Sequence, residues 1–150
     1  MLNQIYGGNF IITEERIEKY TSRYAQAQDQ VQTQTLGVGG VVTFAGIIRG
    51  RDSDEDGHNL LLSGIEYQCY RELAQREGDK ILSDAREQFF LIDAFCVHRV
   101  GYVKVGEMAV WILTLAEHRQ AAFLACEYII ETIKKQLPIW KLKKKKEKKE

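Results

Sequence analysis

Gly40-Val41-Val42-Thr43-Phe44-Ala45-Gly46-Ile47-Ile48-Arg49 is the stretch on which the fold turns. Val41, Val42, Thr43, Ile47 and Ile48 are β-branched, and such side chains sit well on a pleated surface and poorly in a helix. Apolar residues are not alternated with charged ones until Arg49. The run therefore reads as a strand buried on both faces. Gly37-Val38-Gly39-Gly40 precedes it. A phosphate-cradling glycine loop follows a strand and opens a helix, so these glycines read as a flexible lead-in.

Working outward, Ile11 to Ala25 reads as a helix, with Thr13 as hydroxyl cap and Glu14 and Glu15 in the first turn. Gln26 to Thr35 is polar and reads as a loop or frayed helix end. Arg51 to Asn59 is a charged loop, and Leu60 to Tyr70 a second strand. Arg71 to Phe89 reads as a helix on the spacing of Leu73, Ile81, Leu82, Ala85 and Phe89, with Gly78 its weak point. Leu91 to Val100 is a third strand. Gly101 and Gly106 bracket a turn region, and Glu107 to Ala116 is a fourth strand. Arg119 to Leu137 is a helix with an apolar stripe of Ala122, Cys126, Ile129, Ile130, Ile133 and Leu137, stopped by Pro138. The expected class is α+β, in the order α-β-β-α-β-β-α.

The chain has 150 residues, of which 45% are hydrophobic and 28% charged. These values suit one domain, 1–142, able to fold without disulfides or metal. Cys69, Cys96 and Cys126 are too widely spaced for a zinc cluster and read as small buried hydrophobes. Asp52-Ser53-Asp54-Glu55-Asp56-Gly57 opens like a calcium loop, but its twelfth position is Ser63 and strand follows, so no metal is expected. Met1 to Phe10 has neither a basic start nor a long apolar run, and Ala109 to Ala116 is too short to span a bilayer. The expectation is a cytoplasmic protein with no membrane partner.

Formal net charge is zero but uneven. Residues 141–150 hold seven Lys and two Glu, leaving fourteen basic and nineteen acidic groups elsewhere. The segment 143–150 has no apolar residue and reads as a disordered, solvated tail. Binding of nucleic acid through it is not favoured, because no aromatic residue follows Trp140.

Chemistry concentrates around the last helix. His118-Arg119 sit at a strand-to-helix junction, a position that suits an anion. Lys134 follows Ile133 on the edge of the apolar stripe. Partial desolvation there would favour the neutral amine and make it a base or nucleophile, while the bland alternative is a lysine snorkelling from the core. Lys141 follows the Leu137-Pro138-Ile139-Trp140 link. At 1.5 Å rise per residue, Arg119 and Lys134 are about 22 Å apart along one helix. If both serve one ligand, the pocket either wraps across the sheet or borrows residues from a second copy of the chain. His98-Arg99 ends a strand and reads as structural.

Several segments together resemble the MoaE family, the large subunit of molybdopterin synthase. They are Gly40 to Arg49, Ile65-Glu66-Tyr67, Val97-His98-Arg99-Val100-Gly101, Glu117-His118-Arg119, and Lys134 spaced six residues before Trp140-Lys141. They occur in family order from about residue 38 to 142. The resemblance implies an α/β-hammerhead fold of mostly antiparallel sheet, and a homodimer. Each copy would bind a small ubiquitin-like MoaD subunit to form a heterotetramer. It implies a sulfurtransferase that carries sulfur from the partner's thiocarboxylated C-terminus to cyclic pyranopterin monophosphate, with no tightly bound cofactor. Lys134 and Lys141 would be catalytic. Ile47, Ile48, Arg49, His118, Arg119, Leu142 and Lys143, with both lysines, would contact substrate. The family often has an acidic or polar continuation after Trp-Lys, and Leu142-Lys143 departs from it.

Overall fold

The computed structural model describes residues 9–22, 24 and 36–146. Its first strand is β1 (Phe10–Thr13), where the sequence suggested a helix from Ile11. Phe10-Ile11-Ile12-Thr13 is apolar and β-branched, and it lies parallel to β5 (Asp93–Arg99), Phe10 opposite Cys96. That pairing outweighs the local cap signal. The Thr13 hydroxyl still accepts the Glu15 N–H, but helical backbone begins only at residue 18. The polar stretch 26–35 lies outside the described residues.

Next come β2 (Gly40–Ile47), β3 (Arg51–Ser53) and β4 (Asn59–Cys69), then helix α1 (Arg71–Phe89). After β5 follow β6 (Gly101–Lys104), β7 (Met108–Ala116), helix α2 (Arg119–Gln136) and β8 (Ile139–Lys145). One sheet runs β1-β5-β7-β2, antiparallel except for β1 with β5. A second runs β3-β4-β6, and β8 also pairs with β4. The class is α+β with mostly antiparallel sheet, as expected. The turn region between Gly101 and Gly106 is partly a strand, β6, held by β4.

Alternation along the central strands sorts the core. Ala94 and Cys96 face α1 and α2 together with Ile112, Ile129 and Ile133, whereas Phe95 and Val97 face Ile17, Tyr24, Trp111 and Leu113. A small third cluster, Ile48, Ile65, Val103 and Ala109, joins the two sheets. Gly78 is where the ring of Phe10 meets α1, so a Cβ there would collide with it. Its helical cost is exchanged for close packing.

Two expectations about burial are corrected. β2 is an edge strand, and Val41, Phe44 and Ile47 are exposed in the single chain. The apolar run reflected a face that the rest of this chain does not cover. Gly39 and Gly40 are not a loose lead-in either. A Cβ on Gly39 would strike the Glu117 carbonyl, and one on Gly40 would lie 2.9 Å from the Arg119 backbone.

The C-terminal segment is ordered further than its composition suggested. β8 pairs Lys141 with Tyr67, Leu142 with Glu66 and Lys143 with Ile65, and the Lys146 N–H donates to the Leu61 carbonyl. Backbone hydrogen bonds to β4 hold a lysine-rich strand that has no apolar stripe of its own. Residues 147–150 lie outside the described residues.

Cys69, Cys96 and Cys126 are free. Burial pushes the Cys126 thiol up to about 11 and that of Cys96 higher still, so both behave as small apolar groups. Among the described residues, no helix is long and apolar enough to cross a membrane.

Candidate active site

A cavity opens on the seam between the two sheets, at the C-terminal end of α2. Four features of the chain build it. A bulge between Gly46 and Ile47 ends the regular pairing of β2 with β7, and bulges re-aim the residues that follow. Ile48 is then held by its neighbours: its N–H donates to the Glu107 carbonyl, and its own carbonyl accepts from Gly106. Pro138 stops α2, and the chain turns into β8. The period of two along β8 places Lys141 and Lys143 on one face and Leu142 on the other.

The cavity has two lobes that share Tyr67, Ala109, Val110, Ile130, Lys134 and Lys141. The polar lobe, about 190 Å³, adds Ile47, Ile48, Arg49, Arg51 and Asp52. The larger lobe, about 450 Å³, adds His98, Ile133, Leu137, Ile139 and Trp140. Arg49, Lys134 and Lys141 therefore converge on one space, as the sequence reading required of them. Lys134 is exposed at its rim, so this chain alone does not supply the desolvation inferred from the apolar stripe. Four cations, these three and Arg51, around a cavity with largely apolar walls suit an anionic ligand that also carries a flat, weakly polar body.

His118 and Arg119 are elsewhere. They line an open depression at the other end of α2 with Gln120, Phe123 and Leu124, and all five belong to its first turns or cap. Both are exposed, as are Phe123 and Leu124. One copy of the chain does not bring them to the lysines.

Leu142 and Lys143 do not line the cavity. The Leu142 side chain is on the opposite face of β8 and is 45% exposed. The Lys143 ammonium sits 2.7 Å from a carboxylate oxygen of Asp52, a wall residue of the polar lobe. The hydrogen bond from Lys143 holds the Asp52 carboxyl below its usual range, so the wall stays anionic opposite Arg49.

Tyr67, His98 and Asp52 were missed from the sequence. Tyr67 shares a face of β4 with Ile65, a relation that period-two counting contains. Burial alone raises its phenol pKa. Asp52 was hidden inside an apparent calcium loop. That loop is a β3–β4 hairpin turn in which the Asp54 carboxylate accepts the N–H groups of Asp56 and His58.

A family model described as "MoaE protein" matches residues 17–136. A molybdopterin synthase catalytic subunit from Thermoplasma volcanium is 38% identical over 103 residues, covering 69% of this chain and 72% of the relative. One from Pyrococcus abyssi is 35% identical over 103 residues, with 69% of this chain and 66% of the relative covered. Among solved structures, molybdopterin synthase from Staphylococcus aureus superposes with a TM-score of 0.77 at 28% identity, covering 93% of each chain. A complex of subunits 1 and 2 of molybdopterin-converting factor from Helicobacter pylori shares the fold at a TM-score of 0.69 and 20% identity, covering 91% of this chain and 84% of that one. A cavity edged by Arg49, Lys134 and Lys141, a family match spanning most of the sequence and the agreement of fold together place this chain in the MoaE family.

Proposed function

We propose that the chain is the catalytic subunit of a molybdopterin synthase, a sulfurtransferase of molybdenum cofactor biosynthesis. Its substrate is cyclic pyranopterin monophosphate. The sulfur arrives as the thiocarboxylate at the C-terminus of a small ubiquitin-like partner, and two transfers complete the dithiolene. On this reading the architecture is the α/β-hammerhead, the assembly is a homodimer with one partner on each copy, and no tightly held cofactor is needed. The setting is the cytoplasm.

The observation that carries the proposal is the gathering of Arg49, Lys134 and Lys141 around one cavity. Arg49 offers a planar fork suited to phosphate. Lys134 acts as acid and base while the thiocarboxylate sulfur attacks the pterin. Lys141 stabilises the negative charge that develops at the acyl group. His118 and Arg119 of a second copy complete the phosphate and pterin contacts. The separation of the two ends of α2 supports this, as does the exposed apolar surface at Phe123, Leu124 and β2. The departure at Leu142-Lys143 is harmless here, because Leu142 points away and Lys143 is engaged by Asp52.

Purified chain, thiocarboxylated partner and cyclic pterin are mixed, and dithiolene product is measured after derivatisation. Product that depends on all three is expected. No product with fully thiocarboxylated partner sinks the proposal.

A further inference from the structure

His98 lies on β5 between β1 and β7, opposite Ile12 on one side and Val110 on the other. Alternation puts it on the face of Ala94 and Cys96, toward the long helices, at the end of the strand where the larger lobe begins. It is 7% exposed, so whatever reaches the imidazole comes through that lobe.

The ring is fixed in place and in tautomer. Nδ1 is 2.7 Å from the Arg99 carbonyl oxygen. A carbonyl only accepts, so Nδ1 carries the hydrogen and Nε2 a lone pair. The Tyr67 ring meets the imidazole edge-on, with centroids 5.4 Å apart and planes at 80°. Nε2 makes no hydrogen bond among the described residues, yet it is not sealed off from the cavity. Burial disfavours the imidazolium and outweighs the hydrogen bond to the Arg99 carbonyl, which favours it. Beside the ammonium groups of Lys134 and Lys141 that line the same lobe, this lone pair is left for a donor that the incoming ligand brings.

We propose that His98 is a ligand-positioning residue whose Nε2 accepts a hydrogen bond from an N–H of the molecule filling the larger lobe. The geometry names the donor chemistry, and two molecules of the proposed reaction carry it: the backbone amide of the partner's C-terminal glycines and the ring N–H of the pterin. The inference rests on the proposed function for that choice. His98 moves no proton in the reaction. It fixes the height and tilt at which the ligand lies below Lys134 and Lys141, and it discriminates against molecules that present an acceptor there.

Two substitutions separate this role from a structural one. His98→Asn keeps a donor near the Nδ1 position for the Arg99 carbonyl and places nothing at Nε2. His98→Gln keeps an acceptor near Nε2 and gives up the Nδ1 donor. Affinities are measured by calorimetry for a synthetic peptide ending Gly-Gly and, separately, for cyclic pyranopterin monophosphate. The complete reaction supplies kcat and KM. His98→Asn is expected to melt within a few degrees of wild type and to lose about tenfold or more in affinity for one probe, with the matching KM raised. The probe affected identifies the source of the N–H. His98→Gln is expected to stay within about threefold of wild type in that affinity, even where it is less stable. Binding and turnover by His98→Asn equal to wild type overturn the proposal, as does a Gln variant that binds worse than Asn. Should either variant not fold, ¹⁵N spectra of the wild-type imidazole decide: an Nε2 resonance that neither probe moves overturns it. Wild-type protein that forms no product while its Nε2 resonance still responds to a probe removes the proposed function and leaves the acceptor standing.

Discussion

The two ends of α2 carry the same kinds of residue and reach different outcomes. At the C-terminal end, Lys134 meets Arg49, Lys141, Tyr67 and His98 around a cavity walled by six strands and the helix itself, all of the same chain. At the N-terminal end, His118 and Arg119 line a depression with residues of their own helix alone and stand exposed beside Phe123 and Leu124. Cations gathered by tertiary contacts form a site within one copy. Cations displayed at a bare helix start need something else to close over them. The difference teaches that folding of one copy builds one half of the proposed site and leaves the other half open.

The sharpest break would come at the folded end. Lys134→Ala should lower kcat by about a hundredfold or more with the thermal midpoint nearly unchanged, because an exposed amine contributes chemistry and little packing. A variant with near-full turnover would remove the contrast altogether. Complementation addresses association directly. Lys134→Ala and Arg119→Ala chains, assayed with pterin well below KM so that each alone is about tenfold or more impaired, should recover about a quarter of wild-type activity when unfolded and refolded together. Random pairing makes half the dimers mixed, and each mixed dimer has one intact site of two. Recovery no greater than the sum of the parents would show that no site combines Lys134 of one copy with Arg119 of the other.

Arg119→Ala by itself should raise KM for the pterin about tenfold with a smaller effect on kcat, as expected for a phosphate contact made equally in ground and transition states. His98 supplies a test in pH. Burial lowers its pKa from the ordinary 6.5, so below pH 6.5 the unfolded chain takes a proton that the folded chain refuses. Wild-type stability should therefore fall, relative to His98→Asn, as pH drops below 6.5, by a few degrees in the melting midpoint and not at pH 8. Melting curves that stay parallel from pH 8 to 5.5 would show that the ring is not held neutral. The smallest effect is expected for Lys143→Ala. Its partner Asp52 is a wall residue in water, so KM should change less than about threefold, and less again at high salt.

Helix limits were legible where periodicity was long and punctuation clear. Arg71–Phe89 was read without error, and Pro138 gave the end of α2 within a residue. β1 was missed because a cap signal at Thr13 is local, whereas the hydrogen bonds that make Phe10–Thr13 a strand come from residues more than eighty positions away. β8 was missed for the same reason: nothing inside Lys143-Lys144-Lys145 indicates that β4 offers it a free edge. Of the cavity's lining, Arg49, Lys134 and Lys141 were legible through the family's spacing, whereas spacing carries no face and so did not show that the Leu142 side chain points away.

By itself, then, the order of residues determined the two long helices and the strand character of the apolar runs, since these depend on local backbone preference, and its likeness to the family singled out Arg49, Lys134 and Lys141. Tertiary structure alone decided that Arg49, beyond the bulge at Gly46, lines the same cavity as Lys134, that alternation along β8 admits Lys141 and excludes Leu142, and that His98 presents a bare nitrogen to a cavity. Each of those is a matter of direction, and a side chain's direction is set by the neighbours that pair with its backbone.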